Sequence, residues 1–230
     1  MVVPLQMSTN PRLLPMDELA KLQLLGQPLE PFLTSLEYSW DLLRVLNEQL
    51  SVMKPNRDQT AHIATTAVLD ASEGAIIIEA GASIGHFSII KGPCYIGKNC
   101  QVREHCLVQA CSLEADVIIR PFSEIKRSLV MEGTHIHASS ISDSVIGENC
   151  RIAARTTTAN RRLDRQEISA TVAGEKVPTG RTNLGVICGH RVTLGVGVTC
   201  MPGIHIGSDA VIFPGETVYT AVEAGATVRS

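Results

Sequence analysis

Histidine and cysteine carry the most informative chemistry in this chain, because their side chains act as bases, nucleophiles and metal ligands near neutral pH. The chain has seven of each, and the cysteines form no CxxC pair. An odd number of cysteines without such a pair favours reduced thiols over a disulfide framework or a cysteine-based metal site. The histidines are His62, His86, His105, His135, His137, His190 and His205. What these groups do depends on the elements that position them.

Residues 78–113 contain a six-residue repeat around which the chain is organised. A β-branched aliphatic residue returns at every sixth position, at Ile78, Ile84, Ile90, Ile96, Val102 and Val108. A small residue follows each of them four positions later, at Ala82, Ser88, Cys94, Cys100, Cys106 and Ser112. Strands repeat every two residues and helices every 3.6, so neither alone explains this period. The repeat predicts a parallel β-helix, in which short strands stack into coils with aliphatic side chains inside and small ones at corners.

The cysteines fit the interior of such a coil better than a redox site. Cys94, Cys100 and Cys106 occupy equivalent corners of the repeat, which predicts small buried side chains. Aromatic residues make up only 3% of the chain, which suits a thin coil filled by aliphatic residues, alanine and cysteine. Because reduced cysteines are typical of cytosolic proteins, we predict a cytoplasmic location.

Charge and hydropathy argue against several classes of partner. The formal net charge is −3 and the pI is about 6.2, which gives no indication of a nucleic-acid or anionic-membrane partner. No run of 18 apolar residues predicts a transmembrane span, and the first residues lack the basic and apolar blocks of a secretory signal.

Residues 1–55 have a different character and predict a helical segment. Prolines separate two stretches of helical spacing, 16–25 and 35–53. In the second stretch Ser35 is a plausible N-cap, and one face carries Leu36, Trp40, Leu43 and Leu50. Because amphipathic stripes usually belong to a core, we predict that these helices pack on an end of the β-helix or on a neighbouring subunit.

Residues 56–230 are predicted to form one β-helix domain with a single interruption. The polar residues 56–75 predict a connection into the first coil, and the repeat slips between Leu113 and Ile141 before it recovers at Ile146. Residues 160–185 are too long and polar for a corner and predict a loop that projects from the coils. The period then returns at Cys188, Leu194, Cys200, Ile206, Ile212 and Val218.

Hexapeptide repeats of this kind resemble those of the left-handed β-helix acyltransferases, and particular segments narrow the resemblance. These are EIKRS at 124–128, DSVIGEN at 143–149, TAN at 158–160, TGR at 179–181, LG at 184–185 and WDLL at 40–43. Over about residues 39–225 the chain resembles the acetyltransferase domain of bifunctional sugar-1-phosphate nucleotidylyltransferase/acetyltransferases, which are related to UDP-N-acetylglucosamine pyrophosphorylases. The resemblance implies a left-handed β-helix, a homotrimer, and acetyl transfer from acetyl-CoA to an amino-sugar phosphate in nucleotide-sugar synthesis.

The resemblance also implies roles for residues on the acceptor side. His137 matches a histidine that lies six residues before an Asp, here Asp143, and deprotonates the acceptor amine, which suits a group that titrates near neutrality. Lys126 matches a lysine that holds the sugar phosphate, and Asn160 matches an asparagine that lines the sugar and acetyl site. Without the resemblance, the residues favour an exposed histidine on the surface of a coil, and a solvated lysine explains Lys126 as well as phosphate binding does.

On the cofactor side, the resemblance places Ala154 where a backbone amide approaches the thioester of acetyl-CoA and an oxyanion needs a donor. Val196 and Pro214, in later coils, are expected to line the same groove.

The chain departs from the family pattern near these residues, where Ala153 also replaces a Gly. Ser140 replaces a Tyr that contacts the sugar, Ser142 replaces a Gly, and Asn183 replaces a Lys of the loop. Arg155 replaces a Gly beside the thioester, where glycine lets a ligand approach the backbone closely. The alternative hypothesis is therefore a catalytically degraded β-helix that acts as a scaffold or as the partner of a separate nucleotidylyltransferase.

Two other activities are not expected. Residues 1–38 contain no counterpart of the Gly-rich nucleotide-binding turn of the family's second domain, which argues against pyrophosphorylase activity. A β-helix carbonic anhydrase would hold zinc with three histidines, two of them five residues apart, and no pair in this chain has that spacing. No metal site is predicted.

Overall fold

The computed structural model describes residues 23–28, 30–172 and 174–229, and it confirms a mainly β solenoid of parallel sheets. The chain passes in turn through three sheets, called faces 1, 2 and 3. The left-handed sense of the coil stays a prediction. In the part of the chain that is described, no helix is long and apolar enough to cross a bilayer.

The strands are two or three residues long. Face 1 consists of Asn56–Arg57, Ile76–Ile78, Cys94–Ile96, Ser112–Leu113, Leu129–Val130, Val145–Ile146, Ile187–Cys188 and His205–Ile206. Face 2 consists of His62–Ile63, Ser83–Ile84, Gln101–Val102, Ile118–Ile119, His135–Ile136, Arg151–Ile152, Thr193–Leu194, Val211–Ile212 and Thr227–Val228. Face 3 consists of Val68–Asp70, Ile89–Lys91, Leu107–Gln109, Glu124–Lys126, Ser140–Ser142, Thr157–Thr158, Thr199–Cys200 and Thr217–Val218.

The interior is built as the repeat predicts. Most strands point one aliphatic side chain inward, as Ile96, Val102 and Val108 do in successive faces, where they are at most 1% exposed. All seven cysteines are free and buried, which confirms them as small core side chains. Burial raises the pKa of the Cys94 thiol to about 11, so this thiol is protonated and unreactive at neutral pH.

The slips in the repeat are corners that lack one residue. Interior residues on either side of these corners are five positions apart instead of six, at Val108 and Leu113, Ile125 and Val130, Ile136 and Ile141, and Ile141 and Ile146. At the edge between faces 2 and 3, only the corner between Ile136 and Ile141 is short among the described coils. This short corner contains His137.

The first coil begins earlier than its composition suggests. The prediction of a connecting segment at 56–75 is wrong, because three strands in this range pair with the coil that follows. A terminal coil has no neighbour on one side, so its interior is only partly enclosed. Ile63, Ala67 and Leu69 are therefore partly buried, and few apolar residues suffice there.

The N-terminal helices begin later than predicted. Two 3-10 turns, Glu30–Ser35 and Ser39–Asp41, precede the α-helix Leu42–Val52. Ser35 is therefore not the N-cap of a helix over 35–53. The carboxylate of Asp41 accepts hydrogen bonds from the amides of Glu37 and Tyr38 at 2.9 Å each, which holds the chain in a turn before the helix.

The predicted helix at 16–25 falls largely outside the described residues. Its last residues form a short hairpin, Gln23–Leu24 with Gln27–Pro28. Leu25 and Gly26, at the turn, donate their amides to the carboxylate of Glu114 at 2.8 and 3.0 Å. Burial raises the pKa of Glu114, whose carboxylate also accepts a hydrogen bond from Ser112.

The helix packs along face 1 and not on an end of the solenoid, so that part of the prediction is wrong. The predicted apolar stripe of Leu36, Trp40, Leu43 and Leu50 is buried, as expected. The helix packs on this face because the side chains that point outward from face 1 are apolar. The cluster includes Ile77, Tyr95, Leu129, Val145 and Ile187 from face 1 together with Leu42, Leu43, Val45, Leu46 and Leu50 from the helix.

The predicted loop at 160–185 also contains regular structure. An antiparallel hairpin joins Ile168–Val172 to Glu175–Arg181, and Ile168, Ala170 and Val172 are buried in the cluster with the helix. We call the 3-10 turn Ser39–Asp41, the helix Leu42–Val52 and this hairpin together the face 1 cover.

Protonation of His205, beneath Trp40, is expected to loosen this cover. The two rings lie 5.6 Å apart, and among the described residues the buried Nδ1 of His205 has no hydrogen-bond partner. Burial lowers the pKa of His205 from 6.5 to about 4. The folded state therefore binds this proton less readily than the unfolded state, and stability present above pH 6.5 is lost as the pH falls towards 4.

The measurement is urea denaturation followed by the fluorescence of Trp40, the single tryptophan, as a function of pH. In His205→Phe the loss of stability between neutral and acidic pH should be smaller than in the wild type. An identical pH profile for the two proteins would contradict the prediction.

Candidate functional site

His137 lies on an edge of the solenoid, in the short corner between faces 2 and 3. Its side chain is exposed, and its amide donates to the carbonyl of Ile152 at 2.9 Å, which fixes the corner against the next coil. Ala138 follows with a φ of 41°, in the left-handed region that turns the chain into face 3. We call this border between faces 2 and 3 the His137 edge.

The residues predicted for the cofactor lie on the same edge, in later coils. The amide of Arg155 donates to the carbonyl of Ala138 at 2.9 Å, so the corner of Ala154 follows that of His137 directly. The amides of Gly197 and Gly215 donate to the carbonyls of Ala154 and Val196 at 2.9 and 2.8 Å. His137, Ala154, Val196 and Pro214 are thus arranged along one edge.

Arg155 is exposed beside Ala154, with a φ of 63°. Its side chain stands at the surface of the groove and not inside the coil.

Lys126 and Asn160 are not brought to His137 within one chain. They lie at the opposite border of face 3, called here the Lys126 edge, and the strand Ser140–Ser142 separates the two edges. The Nζ of Lys126 forms an ion pair with Glu124 on the same strand.

A polar network occupies the Lys126 edge. The guanidinium of Arg127 donates two hydrogen bonds of 2.7 Å to Asp143, and the side-chain amide of Asn160 donates to the same carboxylate. The pKa of Arg127 is raised by its hydrogen bonds to Asp143. Arg181 is half-buried nearby, and burial lowers the pKa of its guanidinium despite the charges of Asp41 and Asp143. The hydrogen bonds of the network join neighbouring coils, and Arg181 at the end of the hairpin feels the charge of Asp143.

Sequence reasoning did not assign roles to Arg127 and Arg181, and it used Asp143 only to locate His137. The register of the coils could have identified this pair. Lys126 pairs with Ser142 across face 3, so the residues that follow them, Arg127 and Asp143, are neighbours in adjacent coils. Their positive φ values of 46° and 48° mark the same corner in successive coils.

Asp143→Asn is expected to destabilise the protein by about 2 kcal/mol, because hydrogen bonds to a charged group are lost in a largely buried place. Asparagine tolerates the left-handed backbone, so the substitution tests the charge. Asp209→Asn is the matched control: Arg191 binds Asp209 with the same two-pronged geometry, at 2.7 and 2.8 Å.

Both partners of the control pair are about half-exposed, 54% and 53%, whereas the side chain of Asp143 is 9% exposed. Exposed pairs contribute less than about 1 kcal/mol. Urea denaturation followed by circular dichroism should therefore show a larger loss of stability in Asp143→Asn than in Asp209→Asn. Equal losses of stability would contradict the prediction.

Comparison with known proteins supports the resemblance to hexapeptide-repeat acyltransferases. Residues 75–110 match the family model described as bacterial transferase hexapeptide (six repeats). The bifunctional sugar-1-phosphate nucleotidylyltransferase/acetyltransferase of Sulfurisphaera tokodaii is 42% identical over 103 residues, which are 44% of this chain and 26% of that protein. The bifunctional protein GlmU of Methanococcus aeolicus is 44% identical over 89 residues, 38% of this chain and 21% of that protein.

A longer match extends over most of the chain at lower identity. The uncharacterized acetyltransferase YaiX of Escherichia coli is 29% identical over 160 residues, which are 69% of this chain and 70% of that protein. The chain spans about a quarter of the length of the bifunctional relatives named above. It is thus a β-helix that matches the hexapeptide-repeat family model over residues 75–110 and is similar to bifunctional sugar-1-phosphate nucleotidylyltransferase/acetyltransferases over part of their length.

Proposed function

We propose that the protein transfers an acetyl group from acetyl-CoA to the amine of an amino-sugar phosphate, with His137 as the general base. One observation carries the proposal: His137 is exposed in the short corner of an edge whose next corners hold Ala154, Val196 and Pro214. The free and buried cysteines support a cytoplasmic location.

The chain's own groups fit the steps of amide formation. Acetyl-CoA would supply the acetyl group as a thioester, and the C–N bond forms as the C–S bond breaks. His137 takes the proton from the acceptor amine and returns it to the departing sulfur. Among the described residues the amide of Ala154 donates to no other group, so it is available to stabilise an oxyanion.

The acceptor side requires a second copy of the chain. Because Lys126 and Asn160 lie across face 3 from His137, we propose a homotrimer in which the Lys126 edge of one copy meets the His137 edge of the next. Lys126 would then leave its ion pair with Glu124 and bind the sugar phosphate. Asn160 would stay oriented by its hydrogen bond to Asp143.

Calorimetric titration with acetyl-CoA tests the proposal. Val196→Trp or Pro214→Trp should weaken binding at least tenfold, because both residues are exposed on the edge where the cofactor would lie. Val68→Trp, at an exposed site in the first coil, is the control and should leave binding unchanged. Absence of binding at millimolar acetyl-CoA would contradict the proposed acetyltransferase activity. The alternative, a scaffold or partner of a separate nucleotidylyltransferase, would then remain.

A further inference from the structure

The His137 edge continues towards the N-terminus as a row of arginines. In the two coils before His137, Arg103 and Arg120 hold the equivalent position, because Val102, Ile119 and Ile136 are paired across face 2. The amides of Arg103 and Arg120 each donate to the next coil at 2.8 Å, in the pattern that His137 also follows. Neighbouring coils are about 4.8 Å apart, so the two guanidinium groups approach His137 in regular steps.

An exposed aromatic ladder runs beside this row. The ring of His105 stacks on Phe87 at 5.1 Å and on Phe122 at 5.2 Å, with interplanar angles of 15° and 4°. Phe87 and Phe122 are 59% and 71% exposed. The coil of His137 has Ala138 in place of a fourth ring, so one face of Phe122 is open towards His137. Solvent-exposed large apolar side chains in a contiguous row are typical of a binding surface.

The surroundings of the row are positively charged. His135 and Arg151 lie on face 2 next to Arg120, and the pKa of His135 is lowered by burial first and then by these two arginines. Glu104 is the one carboxylate within the three corners 103–105, 120–122 and 137–139. Arg103 donates to Gln101 at 2.7 Å, and the guanidinium of Arg120 has no hydrogen bond or ion pair within the described chain. Arg120 is therefore available to an anion.

We propose that this edge binds a nucleoside diphosphate, with its base stacked on Phe122 at the end of the ladder and its phosphates on Arg103 and Arg120. Aromatic rings stack on nucleobases of any identity, and guanidinium groups bind phosphates through charge-assisted hydrogen bonds. The inference rests on the proposed function: a diphosphate at Arg120 directs the attached sugar towards His137. The acceptor is then a nucleoside-diphosphate-linked amino sugar, of which an amino-sugar phosphate is a truncated form.

The position of this site along the edge assigns it to the acceptor and not to acetyl-CoA. The residues proposed for the cofactor, Ala154, Val196 and Pro214, continue from His137 towards the C-terminus, and the arginines continue towards the N-terminus. The two ligands would thus meet at His137 from opposite sides.

Titration calorimetry with UDP and with GDP, in the absence of acetyl-CoA, tests the inference. Arg120→Gln should weaken binding about tenfold and Phe122→Leu about fivefold, since each removes one recognition element. Lys98→Gln and Tyr219→Leu are matched controls at exposed sites on other edges and should change binding less than twofold. Binding should also weaken as salt rises from 50 to 500 mM, because exposed charges are screened.

The outcomes separate this inference from the proposed function. No binding of either nucleotide, or binding that Arg120→Gln and Phe122→Leu leave intact, would overturn the inference. Displacement of UDP by CoA would overturn its assignment to the acceptor. Binding of UDP together with acetyl-CoA, and a higher kcat/KM for a UDP-linked amino sugar than for glucosamine 1-phosphate, would support it. Nucleotide binding without any acetyl-CoA binding would contradict the proposed function and leave the nucleotide site standing.

Discussion

His137→Ala is expected to lower kcat for acetyl transfer by about 10²–10⁴-fold, the usual contribution of a positioned general base. The side chain is exposed and its corner is held by backbone hydrogen bonds, so the variant should fold with unchanged stability. Affinity for acetyl-CoA should also stay unchanged, because the residues proposed for the cofactor lie in later coils. The measurements are steady-state kinetics with glucosamine 1-phosphate and calorimetry with acetyl-CoA.

The control for this prediction is His62→Ala. His62 is exposed on face 2 in the first coil, several coils before the proposed site, and its loss should leave kcat within twofold. A loss of activity of the same size in both variants, or a His137→Ala enzyme with wild-type kcat, would show that His137 is not the base.

Leu46→Ala is expected to destabilise the face 1 cover by about 2–5 kcal/mol, the cost of removing a large buried aliphatic side chain. Leu46 is 0% exposed at the centre of the helix, and its cluster joins face 1 to the helix and the hairpin. Fluorescence of Trp40 reports the docking of this helix directly, because Trp40 is the single tryptophan and is 2% exposed.

Val52→Ala is the matched control in the same helix. Val52 is 73% exposed at its last turn, so its truncation should change stability by about 0.5 kcal/mol or less. Urea denaturation of both variants, followed by Trp40 fluorescence, makes the comparison. If Leu46→Ala and Val52→Ala unfold at the same urea concentration, the helix does not contribute the burial that the structure assigns to it.

The interior of the coils was predictable because each interior position has a single requirement. Ile96, Val102 and Val108 fill a narrow space, so their residue types repeat strictly and the period shows in the sequence. The corners obey a weaker rule, because five or four residues between interior positions both turn the chain. The slips were therefore visible in the sequence, but their meaning needed the register of the strands.

The N-terminal segment and the hairpin were harder to predict, for different reasons. Asp41 binds two amides that precede it and delays the helix, an effect of one side chain that periodicity does not register. In the hairpin, Ile168, Ala170 and Val172 alternate as a strand should, but the polar residues around them hide a pattern of only five positions.

The candidate site was also predictable only in part. The family resemblance selected His137, Ala154, Val196 and Pro214, and the structure places these residues at corners along one edge. Lys126 and Asn160 come from equally good matches in the sequence but lie across face 3, because position in a coil determines which edge a residue occupies. Contact between different edges would be a property of the proposed homotrimer, and a local pattern in one chain does not encode it.

The face 1 cover changes how the solenoid loses its structure. Coils of a solenoid ordinarily touch only their neighbours, so fraying can start at either end and proceed one coil at a time. Here the helix, the hairpin and Trp40 just before the helix contact strands from Ile77 to His205, and the Leu25–Gly26 turn is fastened to Glu114 among them. Opening one of these coils disturbs contacts shared with the others, so they behave as one cooperative unit. The first coil, Asn56–Asp70, and the last strands, from Val211 onward, lie beyond these contacts and are the natural starting points for fraying.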